Sequence, residues 1–519
     1  MSVKYSLDNL LSKAKSFAKK GNIEEAVRLY QAILSDFPQN VRAQKGLEAL
    51  QTYSGKSPPK EEIKNLVNLY NKRQFSASLQ VAQLIIREYP QAIIVWNIIG
   101  GAYEALGEFE KAIIAFKKVI ELNPNYVDGY YNLGVALQNQ GKTEDAIDAY
   151  QKCISINESY ADAYINLGIA LRHLGKTEDS IQVFTKVLLI KPDYAEAYYH
   201  LAPSLKGIYF KKHNSNLLNI ITILLNKKTF VRPRDIIDAG LSLLKLETKL
   251  KKYLEPDFLN DEEFKLLEVI ADLSKLPLLL KLMSVCPITD IDLEKLLKKL
   301  RAKIIISIDD YTNSPDLLTF QSALALQCFT NEYIYDKSIA EDKALLILEE
   351  SVKLDISKNR QSSPQKILSL ASYKPLNEYK WSKSLLLTDE IKEVFTRQII
   401  EPEREMNIRQ SLPLLDNITN KVSSKVRNQY EASPYPRWVN LRLRSKSVSI
   451  SKVVSEIKLN LFDHKIKEVK SPNILVAGCG TGEHSIGTAK KFKDSKVLAV
   501  DLSASSLSYA KRKTQELNI

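Results

Sequence analysis

Three glycines alternate with small polar residues in Gly478-Cys479-Gly480-Thr481-Gly482, directly after the apolar run Ile474–Ala477. Glycine at that spacing lets the backbone turn tightly and leaves no side chain between the chain and a ligand. The residues that follow read as a helix, whose first N–H groups have no partner within the helix. A second apolar run, Val497–Val500, ends in Asp501 and Leu502. A carboxylate at a strand end can accept hydrogen bonds from the two hydroxyls of a ribose. Strand, glycine turn, helix, strand and acid predict a nucleotide-cofactor site lined by Gly478, Cys479, Gly480, Thr481, Gly482, Asp501 and Leu502. Glu483 stands where a dinucleotide site needs a further glycine, and no Gly-Lys-Ser/Thr follows for a nucleoside triphosphate.

Several elements must hold that loop in place. Ser449–Ile466 reads as a helix leading through Ser471-Pro472 into the first strand, and Leu507–Leu517 reads as the last helix. Upstream, residues 426–448 form a linker containing Tyr430-Glu431-Ala432-Ser433-Pro434-Tyr435-Pro436-Arg437-Trp438. Its two prolines enforce extended chain. Tyr430, Tyr435 and Trp438 offer apolar faces with polar tips. They make either a lid over the cofactor or acceptor pocket or a strap pinning the linker down, and both readings stay open.

The first two-fifths of the chain repeats. Aligning Ala112, Ala146 and Ser180 gives a 34-residue period over 93–126, 127–160 and 161–194. Trp96, Tyr130 and Tyr164 correspond, as do Gly100, Gly134 and Gly168, and Phe116, Tyr150 and Phe184. Small residues admit close helix approach, aromatics fill the space between neighbours, and Gly107, Gly141 and Gly175 mark the turns. Weaker copies cover 7–40 and 59–92, a lone helix falls in Val41–Pro58, and 195–205 forms a cap. Domain bounds of 7–205, 206–425, 426–448 and 449–519 follow.

Between 206 and 425 the period is lost while helical patterning persists: Ile236–Leu250, Glu262–Leu273, Ile291–Lys303, Asp316–Phe329 and Glu341–Leu354 space Leu, Ile and Ala at three and four residues. Arg232, Arg234 and Arg301 stand singly and read as solvated surface residues. The cluster Gln327-Cys328-Phe329-Thr330-Asn331-Glu332-Tyr333 reads as a buried helix cap rather than a ligand contact.

Composition narrows the classes further. A chain of 519 residues, 45% hydrophobic and 26% charged, is globular and multidomain rather than disordered. The longest apolar run, around Leu217–Leu225, is too short to span a bilayer, and no signal core opens the chain, which predicts a cytoplasmic protein without a membrane partner. Net charge is +13, but the lysines are interleaved with acids, which argues against a nucleic-acid partner. Cys153, Cys286, Cys328 and Cys479 are far apart and read as buried thiols, and no His/Cys spacing predicts a metal site.

The 34-residue pattern resembles the tetratricopeptide repeat, and Asn473–Leu517 resembles the first motif of class I S-adenosylmethionine-dependent methyltransferases. The full layout is similar to bacterial tetratricopeptide-repeat methyltransferases. The resemblance implies a mostly α protein, an α-solenoid and a helical middle followed by the start of a Rossmann-like α/β domain. It implies S-adenosylmethionine as cofactor and methyl donor, with Asp501 at the ribose-binding position and a protein or peptide held on the concave face of the repeats. One departure is Val476, where the family pattern has an acid two residues before the first glycine. A class I sheet normally has seven strands, so the resemblance also implies an incomplete catalytic domain in this chain. The alternative is a non-catalytic repeat scaffold carrying an inert cofactor-site remnant. No catalytic base can be named.

Overall fold

The computed structural model describes residues 7–19, 23–53, 57–311, 314–415, 420–432, 434, 436–457 and 462–519. The chain divides into two compact units, residues 1–183 and 184–519.

The first unit is built from antiparallel helix pairs. Lys60–Asn71 pairs with Phe75–Glu88, Ile93–Ala105 with Phe109–Leu122, and Val127–Gln140 with Thr143–Ile156. Leu7–Lys19 and Ile23–Asp36 form an earlier pair, followed by the single helix Val41–Tyr53. The repeat glycines work by contact. A Cβ on Gly134 would stand 2.5 Å from the Tyr150 ring, and one on Gly100 would stand 2.5 Å from Phe116. The aromatic sixteen residues on therefore sits directly against helix backbone. Turns between helices are left-handed, as at Gly141 with φ +91°. Ser180, in the alanine position of its repeat, is fully buried and donates to the Gly168 carbonyl at 2.8 Å.

In the second unit, helices Ile291–Ile306, Pro315–Thr330, Ile339–Ser357 and Pro364–Ala371 enclose a core around Leu326, Val352, Leu368 and Leu376. The sequence expectations need three corrections here. Ile236–Leu250 is two helices, Pro233–Leu244 and Thr248–Leu254, because the first stops at Lys245 and Glu247 is extended. The helix expected over Ser449–Ile466 runs only from Ile450 to Glu456, and a 3-10 turn covers His464–Glu468.

Arg301 gives the third correction, since it is 2% exposed and not a surface residue. Its guanidinium meets Glu341 at 3.1 Å and lies over the Tyr373 ring at 4.4 Å, and the Tyr373 hydroxyl donates to Glu341 at 2.8 Å. Glu341 also closes a capping box with Ser338. A buried ion pair needs this many partners to offset its lost hydration.

The Gln327–Tyr333 cluster ends its helix as a cap, with Asn331 accepting from the Tyr333 N–H at 3.1 Å. Downstream, Asn473–Ala477 (β1) and Lys496–Val500 (β2) pair in parallel, with Asn473 opposite Lys496 and Ala477 opposite Val500. Helix Glu483–Lys491 forms the crossover, and helix Ala504–Glu516 follows β2. One face of this ribbon stays open: Leu475 and Leu498, opposite each other, are 64% and 61% exposed.

Candidate cofactor site

The glycine loop leaves β1 with three left-handed residues, Gly478 (φ +66°), Gly480 (φ +52°) and Gly482 (φ +87°). The three positions differ in what surrounds them. A Cβ at Gly478 or Gly480 would meet nothing within 4 Å, so the backbone there is open to approach. At Gly482 a Cβ would stand 2.5 Å from the Ala510 Cβ and 3.0 Å from its Cα. The first two glycines clear space above the loop, while the third lets helix Ala504–Glu516 pack against it.

Asp501, at the end of β2, is turned toward that loop. One carboxylate oxygen accepts from the Gly480 N–H at 2.8 Å and the other from the Ser503 N–H at 2.9 Å. Each oxygen keeps a further lone pair. Leu502 beside it is 45% exposed, an apolar surface next to the acid. Cys479 and Thr481 are buried. Cys479 ties the loop to β2, its N–H donating to the Val500 carbonyl at 3.1 Å. Burial first and the Asp501 carboxylate second push its thiol up to about 11. It is therefore protonated and inert at neutral pH.

The linker supplies the other wall. Thr481 donates to the Pro436 carbonyl at 2.8 Å, and the Trp438 indole donates back to the Thr481 carbonyl at 3.1 Å. The Tyr509 hydroxyl reaches the Trp438 carbonyl. Trp438, Leu441 and Leu443 form a small core with Ile486 and Tyr509. Beyond it the linker runs extended, with Leu441 and Leu443 donating to the Lys228 and Thr229 carbonyls at 2.9 Å each. Trp438 is thus positioned as part of a strap. Tyr430 is 39% exposed, with its carbonyl accepting from Ser503 Oγ at 3.1 Å. Tyr435 lies outside the described residues.

Several pairings essential to this geometry were not read from the sequence. Glu431 meets the N-terminus of helix Ala504–Glu516, accepting from the N–H groups of Ala504 at 2.6 Å and Ser505 at 3.3 Å, and from Ser505 Oγ at 2.7 Å. It also pairs with Arg409 at 2.9 Å. Glu483 pairs with Arg232 at 2.5 Å and Arg234 at 3.1 Å, so neither arginine is merely solvated. That pairing gives Glu483, which stands where a dinucleotide site would need glycine, its own structural role. Arg512 meets Glu405 at 2.7 Å, Glu401 at 3.1 Å and Glu516 at 3.3 Å. Glu516 lies one helical turn from Arg512, but Glu401 and Glu405 lie more than 100 residues upstream, where no local pattern could have found them.

With this geometry in view, comparison with known proteins is direct. Tetratricopeptide-repeat family models match residues 8–40, 100–141, 127–160 and 149–182. A methyltransferase-domain model matches residues 474–519, from the first residues of β1 onward. The chain carries tetratricopeptide repeats and a methyltransferase-domain segment. Among curated proteins, the mouse (Mus musculus) aspartyl/asparaginyl beta-hydroxylase is 25% identical over 147 residues, which is 23% of this chain and 20% of that protein. The match therefore spans about a fifth of that relative's length.

Among solved structures, MamA from Desulfovibrio magneticus RS-1 aligns with 17% identity and a TM-score of 0.26, over 37% of this chain and 99% of that one. YrrB, described as a repeat protein with an unusual peptide-binding site, aligns with 17% identity and a TM-score of 0.24, over 36% of this chain and 88% of that one. Among the described residues, no helix is long and apolar enough to cross a membrane.

Proposed function

We propose that this chain belongs to an S-adenosylmethionine-dependent methyltransferase whose repeat array recognises a protein or peptide. The observation that carries the reading is the pairing of an open glycine loop with Asp501, whose carboxylate lies 2.8 Å from the Gly480 N–H at the end of β2.

The residues present fit such a cofactor. Gly478 and Gly480 leave their backbone approachable, and the spare lone pairs of Asp501 suit the vicinal hydroxyls of a ribose. Leu502 supplies exposed apolar surface beside the acid for a base. When bound, S-adenosylmethionine supplies an electrophilic methyl group on a sulfonium. The chain's part is to bind and orient. The Pro436, Trp438 and Thr481 hydrogen bonds fix the loop, and the Asp501 hydrogen bonds fix the carboxylate. Positioning of this kind matters more than proton transfer for methyl transfer from a sulfonium. Val476, buried where the family pattern has an acid, contributes no charge to the cofactor's amino-acid end.

The recognition half of the proposal rests on polar side chains carried by first helices of successive repeats. Asn132 donates to the Asn97 amide oxygen at 3.0 Å and Asn166 to the Tyr131 hydroxyl at 3.3 Å, partly buried polar groups suited to peptide backbone.

Isothermal titration of S-adenosylmethionine into the chain tests the cofactor half. Binding should be measurable and should weaken about tenfold or more in Asp501→Ala, roughly 1.4 kcal/mol or more. No heat at millimolar ligand would overturn it and favour the inert-remnant scaffold.

A further inference from the structure

A cavity of about 270 Å³ lies where the linker and helix Ala504–Glu516 meet the preceding helices of the same unit. Trp438 stands between it and the glycine loop, lining the cavity while its indole holds Thr481. The cavity is strongly charged. Lys228, Lys281, Arg397, Arg437, Arg512 and Lys513 line it, against Glu393, Glu401, Glu405 and Glu516.

The acids are unevenly spent. Arg512 engages Glu401, Glu405 and Glu516, while Lys513 and Lys228 reach Glu516 at 3.0 and 2.6 Å. Lys281, Arg397 and Arg437 make no ion pair among the described residues. Arg397 donates to the Ser284 carbonyl and to Thr330 Oγ1, and Arg437 lies over the Phe329 ring at 5.6 Å. Burial lowers the Lys281 pKa, with Arg397 and Lys228 pushing the same way against Glu393. Half-buried cations without a close ion-pair partner are costly, and although Glu393 acts on Lys281 and Glu405 on Arg437 from a distance, the lining keeps an excess of two positive charges.

The backbone adds an independent sign. Residues Thr396–Ile400 form a π-helical turn just before helix Glu401–Gln410. Such turns are rare and frequently lie at functional sites. This one brings Arg397 to the cavity and sends Gln398 into the core, where it binds the Ala325 and Ala371 carbonyls and the Leu376 N–H.

The geometry points to this cavity as a binding site for a small dianion, a phosphate monoester or a dicarboxylate, clamped by Arg397, Arg437 and Lys281. Planar guanidinium groups favour bidentate contact with either anion, and the dianion supplies the two missing negative charges. The site stands apart from the cofactor reading and does not depend on it.

The test is titration calorimetry on the full chain with inorganic phosphate and, separately, succinate, in chloride buffer of matched ionic strength. At least one should bind with a Kd at or below about 1 mM. Arg437→Gln and Lys281→Met should each weaken it about tenfold or more. Binding of phosphate alone assigns the ester class, and binding of succinate alone the dicarboxylate class. Without added anion, Lys281→Met should keep or raise the melting temperature, since it removes an unpaired half-buried charge; a purely structural lysine would lower it. No binding of either probe, or undiminished binding in Lys281→Met, overturns the proposal even if Arg437→Gln fails to fold.

Discussion

Replacing Gly482 by alanine should loosen the cofactor loop far more than the same change at Gly478. Both positions are left-handed, at φ +87° and +66°, so each alanine carries a backbone penalty of about 1–2 kcal/mol. At Gly478 nothing is added, because a Cβ there meets nothing within 4 Å. At Gly482 the new Cβ would stand 2.5 Å from the Ala510 Cβ and 3.0 Å from its Cα, and the helix must move away. Overpacking of that kind costs about 1–3 kcal/mol, for a total of about 2–5 kcal/mol.

The chain has two compact units, so a global melting curve would blur this local effect. Hydrogen exchange in peptides covering Ile474–Lys491 reads it directly. A loss of about 3 kcal/mol speeds local opening on the order of 100-fold, whereas Gly478→Ala should give about tenfold. Adding Ala510→Gly removes the 2.5 Å contact and should restore part of the protection. Equal acceleration in the two single variants, or no recovery in the double variant, would refute the packing role assigned to Gly482.

Other expectations follow from the same contacts. Glu431→Gln removes the charge from the start of helix Ala504–Glu516 and from Arg409, and should cost about 1–2 kcal/mol, seen as faster exchange over residues 504–508. Burial alone would raise the Glu516 carboxyl, but Lys513 and Lys228 outweigh it and hold it down at about 2, against 4.5 for the free group. Its stabilisation is therefore complete above about pH 4.5 and lost as pH falls toward 2, and denaturant titrations should show Glu516→Gln flattening that loss. Cys479, pushed up to about 11, should react with iodoacetamide at neutral pH much more slowly in the folded chain than in urea, as read by mass spectrometry. Gly134→Ala drives a methyl group into the Tyr150 ring and should cost about 1–3 kcal/mol, measured as faster exchange over residues 127–156.

The repeats were legible because their chemistry is periodic. Gly100 against Phe116 and Gly134 against Tyr150 are one contact repeated every 34 residues. The strand–loop–helix–strand unit was legible for a different reason: left-handed turns demand glycine, and the apolar runs before the loop and before Asp501 mark β1 and β2. What escaped was long-range polar pairing. Glu431 gives no local sign that it will meet a helix 73 residues later, nor Glu483 that Arg232 and Arg234 wait 249 residues or more upstream. A lone arginine such as Arg301 looks like a surface residue until three dimensions bring Glu341 and Tyr373 to it. The strap was half legible: its prolines announced extended chain, but nothing announced that Trp438 would bond the loop itself.

The π turn at Thr396–Ile400 also sets the rotational phase of everything after it. An ordinary α-helix advances about 100° per residue, so the extra residue shifts the face presented downstream by that amount. Upstream of the shift, Val394 faces the core; downstream, Glu401 and Glu405 face Arg512 instead of solvent. Deleting a single residue there would keep the chain helical yet swing both glutamates off the arginine. This segment should therefore tolerate very few changes of length.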